Sequence, residues 1–216
     1  MPAQSSGADP LPSGRTTYPG LVARSDVIGF DLYPLQGWCQ RNRIADVFDA
    51  QRELVALANG KPTFQWIEAA GMNCPAMAAA AVTPATVRAE AWLAIAGGAH
   101  GLGFFPAAWT AAVAGAISRV AAEVAGLTSA VLGPPLAGVG ADGGIRAAAW
   151  RGDDTLYVAA INPTARPVRT TVHVPDLAGR TLEVLEEGRQ ITAKGDDLTD
   201  LFAPLEVHLY MARASS

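Results

Sequence analysis

The sequence predicts an α/β fold in two parts, parallel strand–helix units first and a small antiparallel β-sandwich behind them. Three observations carry this. Strand-like and helix-like runs alternate three times before position 133, the pattern of parallel βαβ units. Gly133-Pro134-Pro135 then interrupts the chain. Beyond it, short strand-like runs separated by turn residues replace the helices. The expected division is a flexible leader over 1–20, an α/β domain over 21–133 and a β-domain over 134–216.

The elements follow in order. Met1–Gly20 is rich in Pro, Ser, Gly and Thr and reads as a flexible leader or as a loop left over from something larger. Ser25–Phe30 (SDVIGF) suits a buried parallel strand. Ile44–Asn59 carries apolar residues at helical spacing and stops at Asn59-Gly60. Pro62–Ile67 (PTFQWI) is the second strand and runs into Glu68. Thr83-Pro84 supplies an N-cap with proline at the first helical position, opening a helix to about Ala96 that Gly97-Gly98 ends. Ala99–Phe105 (AHGLGFF) is the third strand and Thr110–Leu132 the third helix. In the second part, strands are expected at Ile145–Trp150, Thr155–Ile161, Val168–Val174, Thr181–Leu185 and Leu205–Met211.

Composition bounds the function. Half the residues are hydrophobic and 17% charged, so the chain can bury a core. The net charge is −4 with the signs scattered, which speaks against nucleic acid or an anionic membrane surface as partner. No run reaches the roughly 18 uninterrupted apolar residues of a membrane span; the Ala-rich stretch from Ala107 to Leu132 is broken by Arg119 and Glu123. Met1–Gly20 has no apolar core of a signal peptide. Two cysteines and three dispersed histidines form no metal-binding pattern, and no cofactor is expected.

Three blocks carry a resemblance. They are Asp26-Val-Ile-Gly-Phe-Asp-Leu-Tyr-Pro34, Gly60-Lys-Pro-Thr-Phe-Gln-Trp-Ile-Glu68 and Arg88-Ala-Glu-Ala-Trp-Leu-Ala-Ile-Ala-Gly-Gly-Ala-His-Gly-Leu-Gly-Phe-Phe105. In order and spacing they resemble the last three strands of a clan A glycoside hydrolase (β/α)8 barrel, a clan in which a C-terminal β-sandwich is common. The resemblance implies a partial (β/α) barrel of about three strand–helix units over Arg24–Trp109. It implies that Glu68 stands where the clan has its nucleophile. The clan's acid/base, a Glu on the fourth barrel strand, has no counterpart in this chain.

On that reading the chain is a retaining hydrolase of β-linked sugars. Such chemistry needs two carboxyl groups roughly 5–5.5 Å apart. Glu68 is the expected nucleophile and Asp31, ending the preceding strand, the nearest second carboxylate. Tyr33, Trp38, Gln65, Trp66, His100 and Trp109 are expected to contact sugar, and the Tyr33 hydroxyl can also steady a carboxylate. Each has an ordinary structural reading beside it: a capping Asp, a core Trp, a satisfied buried His. Trp92 and Trp150 read as core. Cys39 and Cys74 fall in loops that share one face of a barrel, where a disulfide is expected if the compartment is oxidising, which favours a secreted protein. Open parallel edges predict a homo-oligomer that completes the barrel. The competing readings are a non-catalytic carbohydrate-binding or assembly protein and an inactive fragment of a larger hydrolase.

Overall fold

The computed structural model describes residues 12–74, 81–152 and 154–213. The chain forms two compact units, Met1–Arg119 and Val120–Ser216, divided inside the long helix that follows the third strand.

In the first unit, β1 (Ile28–Asp31), β2 (Thr63–Glu68) and β3 (Gly101–Phe105) form a parallel sheet in that order. Connecting them are a 3-10 turn at Arg41–Arg43 with α2 (Asp46–Ala58), and α3 (Pro84–Ala96). The anticipated punctuation is present. The Thr83 hydroxyl accepts the Thr86 N–H at the head of α3, and Asn59 adopts the left-handed conformation that ends α2.

Strand alternation divides the sheet into two faces. Ile28, Phe30, Thr63, Gln65 and Ile67 are buried on one, where Thr63 accepts a hydrogen bond from Gln51 of α2 at 2.8 Å. Gly29, Asp31, Phe64, Trp66, Gly103 and Phe105 occupy the other, with Trp66 and Phe105 exposed. Trp92 of α3 is fully buried, as expected of a core residue.

Part of the expected leader is ordered. α1 (Pro12–Ala23) precedes β1, and the Lys61 ammonium donates to the carbonyls of Val22, Ala23 and Ser25 at its C-terminus. A cation there satisfies carbonyls that have no intrahelical donor. Positions 1–11 lie outside the described residues.

α4 (Ala111–Val131) is long and apolar enough, by length and composition, to cross a membrane, which counting uninterrupted apolar residues did not reveal. Its buried residues form one stripe at helical spacing, Val113, Ala116, Val120, Glu123, Leu127, Ala130 and Val131.

The second unit is antiparallel. β4 (Gly140–Ala141), β7 (Val168–His173) and β10 (Asp197–Phe202) form one sheet in the order β10-β7-β4. β5 (Arg146–Gly152), β6 (Thr155–Ile161), β8 (Thr181–Val184), β9 (Arg189–Thr192) and β11 (Val207–Arg213) form the other, in the order β5-β6-β11-β8-β9. Both sheets feed one apolar core: Val172, Leu198 and Phe202 come from the first, Ala149, Val158, Val184 and Tyr210 from the second. Trp150 is buried.

One inward-facing position of β10 is acidic. Asp200 accepts hydrogen bonds from Arg189 at 2.8 Å, Tyr210 at 2.9 Å and the Leu201 N–H at 2.8 Å, with the His208 ring beside it. Burial alone would raise this carboxyl; the bonds from Arg189, Leu201 and Tyr210 hold it below its usual value. The pairing links β10 of one sheet to β9 and β11 of the other.

Candidate active site

The loop after β1 folds over the end of β2. Glu68 is only 1% exposed there, and both of its carboxyl oxygens are engaged by that loop. Leu35 N–H donates to Oε1 at 2.7 Å and Gln36 N–H to Oε2 at 2.6 Å. The Gln36 side chain extends the connection, its Oε1 accepting the N–H groups of Met72 at 2.7 Å and Cys74 at 3.0 Å. Cys39 and Cys74 are joined as a disulfide, their Cα atoms 5.9 Å apart. The two loops that follow β1 and β2 are therefore held together by backbone, side-chain and covalent links.

Burial pushes the Glu68 carboxyl up to about 7, against the opposing effect of the Leu35 and Gln36 N–H bonds and of Glu90. Glu90, in the middle of α3, is completely buried and is itself raised well above the usual carboxylate value, by burial first and by Glu68 second. Burial and the nearby charges of Asp31 and Glu68 also raise the Tyr33 phenol.

An aromatic surface lies on the exposed face of the sheet. Tyr33 stacks on Phe105 with centroids 6.0 Å apart; Trp66 meets Phe105 edge-on at 6.4 Å and Phe64 at 6.3 Å. Glycine makes room for these rings. A Cβ on Gly29 would fall 2.2 Å from the Phe64 ring, and one on Gly103 would fall 2.4 Å from the Trp66 ring. Phe64 and Trp66 thus lie across their neighbouring strands rather than standing away from them. Asp31, exposed at the end of β1, shares this face and is in register with Trp66.

The structure brings together Asp31, Tyr33, Trp66 and Glu68, and separates Gln65, His100 and Trp109 from them. Gln65 points to the opposite face, fully buried, with neither its amide oxygen nor its nitrogen hydrogen-bonded among the described residues. This corrects its expected place at a sugar. His100 precedes β3 and its Nδ1 receives the Thr63 N–H at 3.4 Å. It stands at the strand end opposite Glu68, some five residues or about 16 Å along the sheet, and is likewise removed from the site. Trp109 is exposed but meets Phe104, a residue of the other face, at 6.4 Å. Trp38 is half-buried beneath the Arg43 guanidinium, 5.5 Å from the ring centroid. A cavity of about 330 Å³ lies by the start of β1, lined by Tyr18, Leu21, Val22, Ile28, Leu54 and Phe64 among others. Among the described residues no acidic side chain lines it.

Phe64, Phe105 and Glu90 belong to the site and escaped the sequence reading. Alternation along β2 was the available signal for Phe64, since it places residues 64, 66 and 68 together.

No protein-family model matches the chain, and no curated protein matches it. Solved structures do. A GH27 β-L-arabinopyranosidase from Geobacillus stearothermophilus superposes with a TM-score of 0.61 at 12% identity, over 96% of this chain and 49% of that one. A putative α-galactosidase/melibiase from Bacteroides fragilis gives 0.61 at 14% identity, over 92% and 45%. An α-amylase from Geobacillus thermoleovorans, complexed with acarbose, gives 0.59 at 11% identity, over 87% and 48%. The chain has a glycosidase-like fold and spans about half the length of the solved structures it matches. At these identities the likeness concerns the fold alone.

Proposed function

We propose that this chain is glycoside hydrolase-like, a partial (β/α) barrel over 21–133 followed by a β-sandwich over 134–216, and that Glu68 is the nucleophile of a retaining hydrolase of β-linked sugars. The observation that carries this is the position of Glu68 at the C-terminal end of a parallel strand, where (β/α) barrels build their sites, beside an exposed aromatic surface and Asp31. A Glu68 oxygen would bond to the anomeric carbon as the bond to the leaving oxygen breaks. A second carboxyl would give that oxygen its proton and later take one from the incoming water. Asp31, or a carboxyl from another copy of the chain, fills the second role. Tyr33, Trp66, Phe64 and Phe105 provide faces on which a pyranose ring can stack. In this structure the Glu68 oxygens are occupied by Leu35 and Gln36, so attack requires the loop after β1 to withdraw.

That same occupancy favours a second reading, a non-catalytic carbohydrate-binding or assembly protein that keeps the aromatic surface and uses Glu68 to anchor a loop. A panel of nitrophenyl β-glycosides, assayed with the parent chain and Glu68→Gln, separates the two. Turnover abolished in Glu68→Gln supports the hydrolase. Turnover that survives the substitution overturns the assignment, and sugar binding without turnover favours the binding protein.

β1 and β3 each pair on one side only among the described residues. Open parallel edges invite pairing, and we propose a homo-oligomer in which they meet. Sedimentation showing a stable monomer would count against it.

A further inference from the structure

Glu90 sits in the middle of α3 with no exposed surface, and neither carboxyl oxygen has a hydrogen bond of ordinary geometry among the described residues. Leaving a carboxylate in such a place without donors is among the most costly arrangements in a protein interior. The titratable group that bears on it is Glu68, itself only 1% exposed, and each of the two carboxyls acts on the other. Two neighbouring carboxylates removed from water repel each other strongly, so they cannot both remain ionised at little cost.

One proton resolves both difficulties. On Glu90, it turns one orphaned oxygen into a donor toward the Glu68 carboxylate. We propose that Glu68 and Glu90 form a buried dyad sharing a single proton, in which Glu90 is a positioning residue that donates a hydrogen bond to the Glu68 carboxylate. The dyad then carries one negative charge. Glu68 receives three donors, from Leu35, Gln36 and Glu90, and retains the last of them if the loop after β1 withdraws. On the far side of Glu68 the titratable neighbours are Asp31 from β1 and Tyr33 from the loop, whose phenol feels both carboxylates. Glu90 lies behind the strand end, on the helix, and touches no reacting atom. Its bearing on hydrolysis rests on Glu68 being the nucleophile; the shared proton does not.

The test is a carboxyl ¹³C titration of the full chain labelled at glutamate, following Glu68 and Glu90. In the parent protein the two carbons are expected to titrate together in two coupled steps, the lower near neutral pH. In Glu90→Gln, which keeps a donor, Glu68 should collapse to a single step. In Glu90→Leu, which removes the donor, that step should move upward by about one pH unit relative to Glu90→Gln. Independent titration of both groups below pH 5 in the parent protein would overturn the dyad, as would a Glu68 curve identical in all three proteins. The parent curve decides the matter if a variant does not fold. Failure to hydrolyse any glycoside would remove the catalytic reading and leave these curves unchanged.

Discussion

Glu68 Oε2 accepts the backbone N–H of Gln36 at 2.6 Å, across a sequence separation of 32 residues. With the Leu35 N–H on the other oxygen, this side chain stands in for the strand partner that the loop lacks. Hydrogen bonds to a charged acceptor contribute about 1.5–3 kcal/mol each, and losing one partner exposes the other's desolvation cost. Glu68→Ala should therefore free both amides. Their hydrogen exchange is expected to accelerate by at least about tenfold while amides of β6 and β11 in the second unit keep their rates. Unchanged exchange at Leu35 and Gln36 would show that the loop is held by something else.

The same carboxyl sets a pH dependence. Its folded-state value of about 7 lies above the ordinary 4.5, so between those values the folded chain binds more protons than the unfolded one. Stability contributed by the protonated group is present below about pH 4.5 and is lost as pH rises through about 7. Glu90, raised also, acts in the same direction. The first unit should lose roughly 2–4 kcal/mol between pH 4.5 and pH 8, measurable by urea denaturation at a series of pH values. Glu68→Gln should reduce that slope to the part that Glu90 supplies. A first unit that gains stability over this range would contradict the assignment.

The disulfide closes a loop across a separation of 35 residues. Chain-entropy reasoning gives such a cross-link about 3–4 kcal/mol, subject to residual structure in the unfolded chain. Cys39→Ser with Cys74→Ser, or reduction of the parent protein, should lower the thermal midpoint of the first unit by several degrees. The loop should remain anchored through Gln36, whose side chain holds Met72 and Cys74 independently of the sulfurs. Loss of the Leu35 and Gln36 amide protection on reduction would mean that the covalent link, rather than Glu68, fixes the loop.

Much of the fold was legible because its signals are local. Thr83-Pro84 and Asn59-Gly60 punctuate helices through their own backbone preferences, and Thr155–Ile161 is a strand with the expected ends. β9 and β10 were missed for an equally local reason. Arg189 opens the first, while Asp200 takes an inward position of the second, so neither presents a clean apolar alternation. Glu68 and Asp31 do end their strands, as expected, but Gln65 was placed with sugar although alternation turns it away from Trp66. His100 opens its strand as expected, but that is the end away from Glu68. Glu90 lies at helical spacing from buried Val87 and Leu93, which signals depth but not its partner. The bonds from Leu35 and Gln36 had no sequence signature, because any residue supplies a backbone N–H.

Gly103 tests whether the aromatic surface binds sugar. A Cβ there would fall within 2.4 Å of the Trp66 indole, so Gly103→Val forces the ring to move. Trp66 is 36% exposed and has solvent to move into, which should limit the cost to about 1–3 kcal/mol. The chain is expected to fold, with a red shift in tryptophan emission as the indole gains water. If Trp66 forms part of a sugar platform, ligand-induced changes in that emission should weaken by about tenfold or more. Gly115→Ala, in open space on α4, should leave them intact. Equal sugar affinity in Gly103→Val and the parent chain, with the indole displaced, would remove Trp66 from the binding surface and leave Tyr33 and Phe105 to carry it.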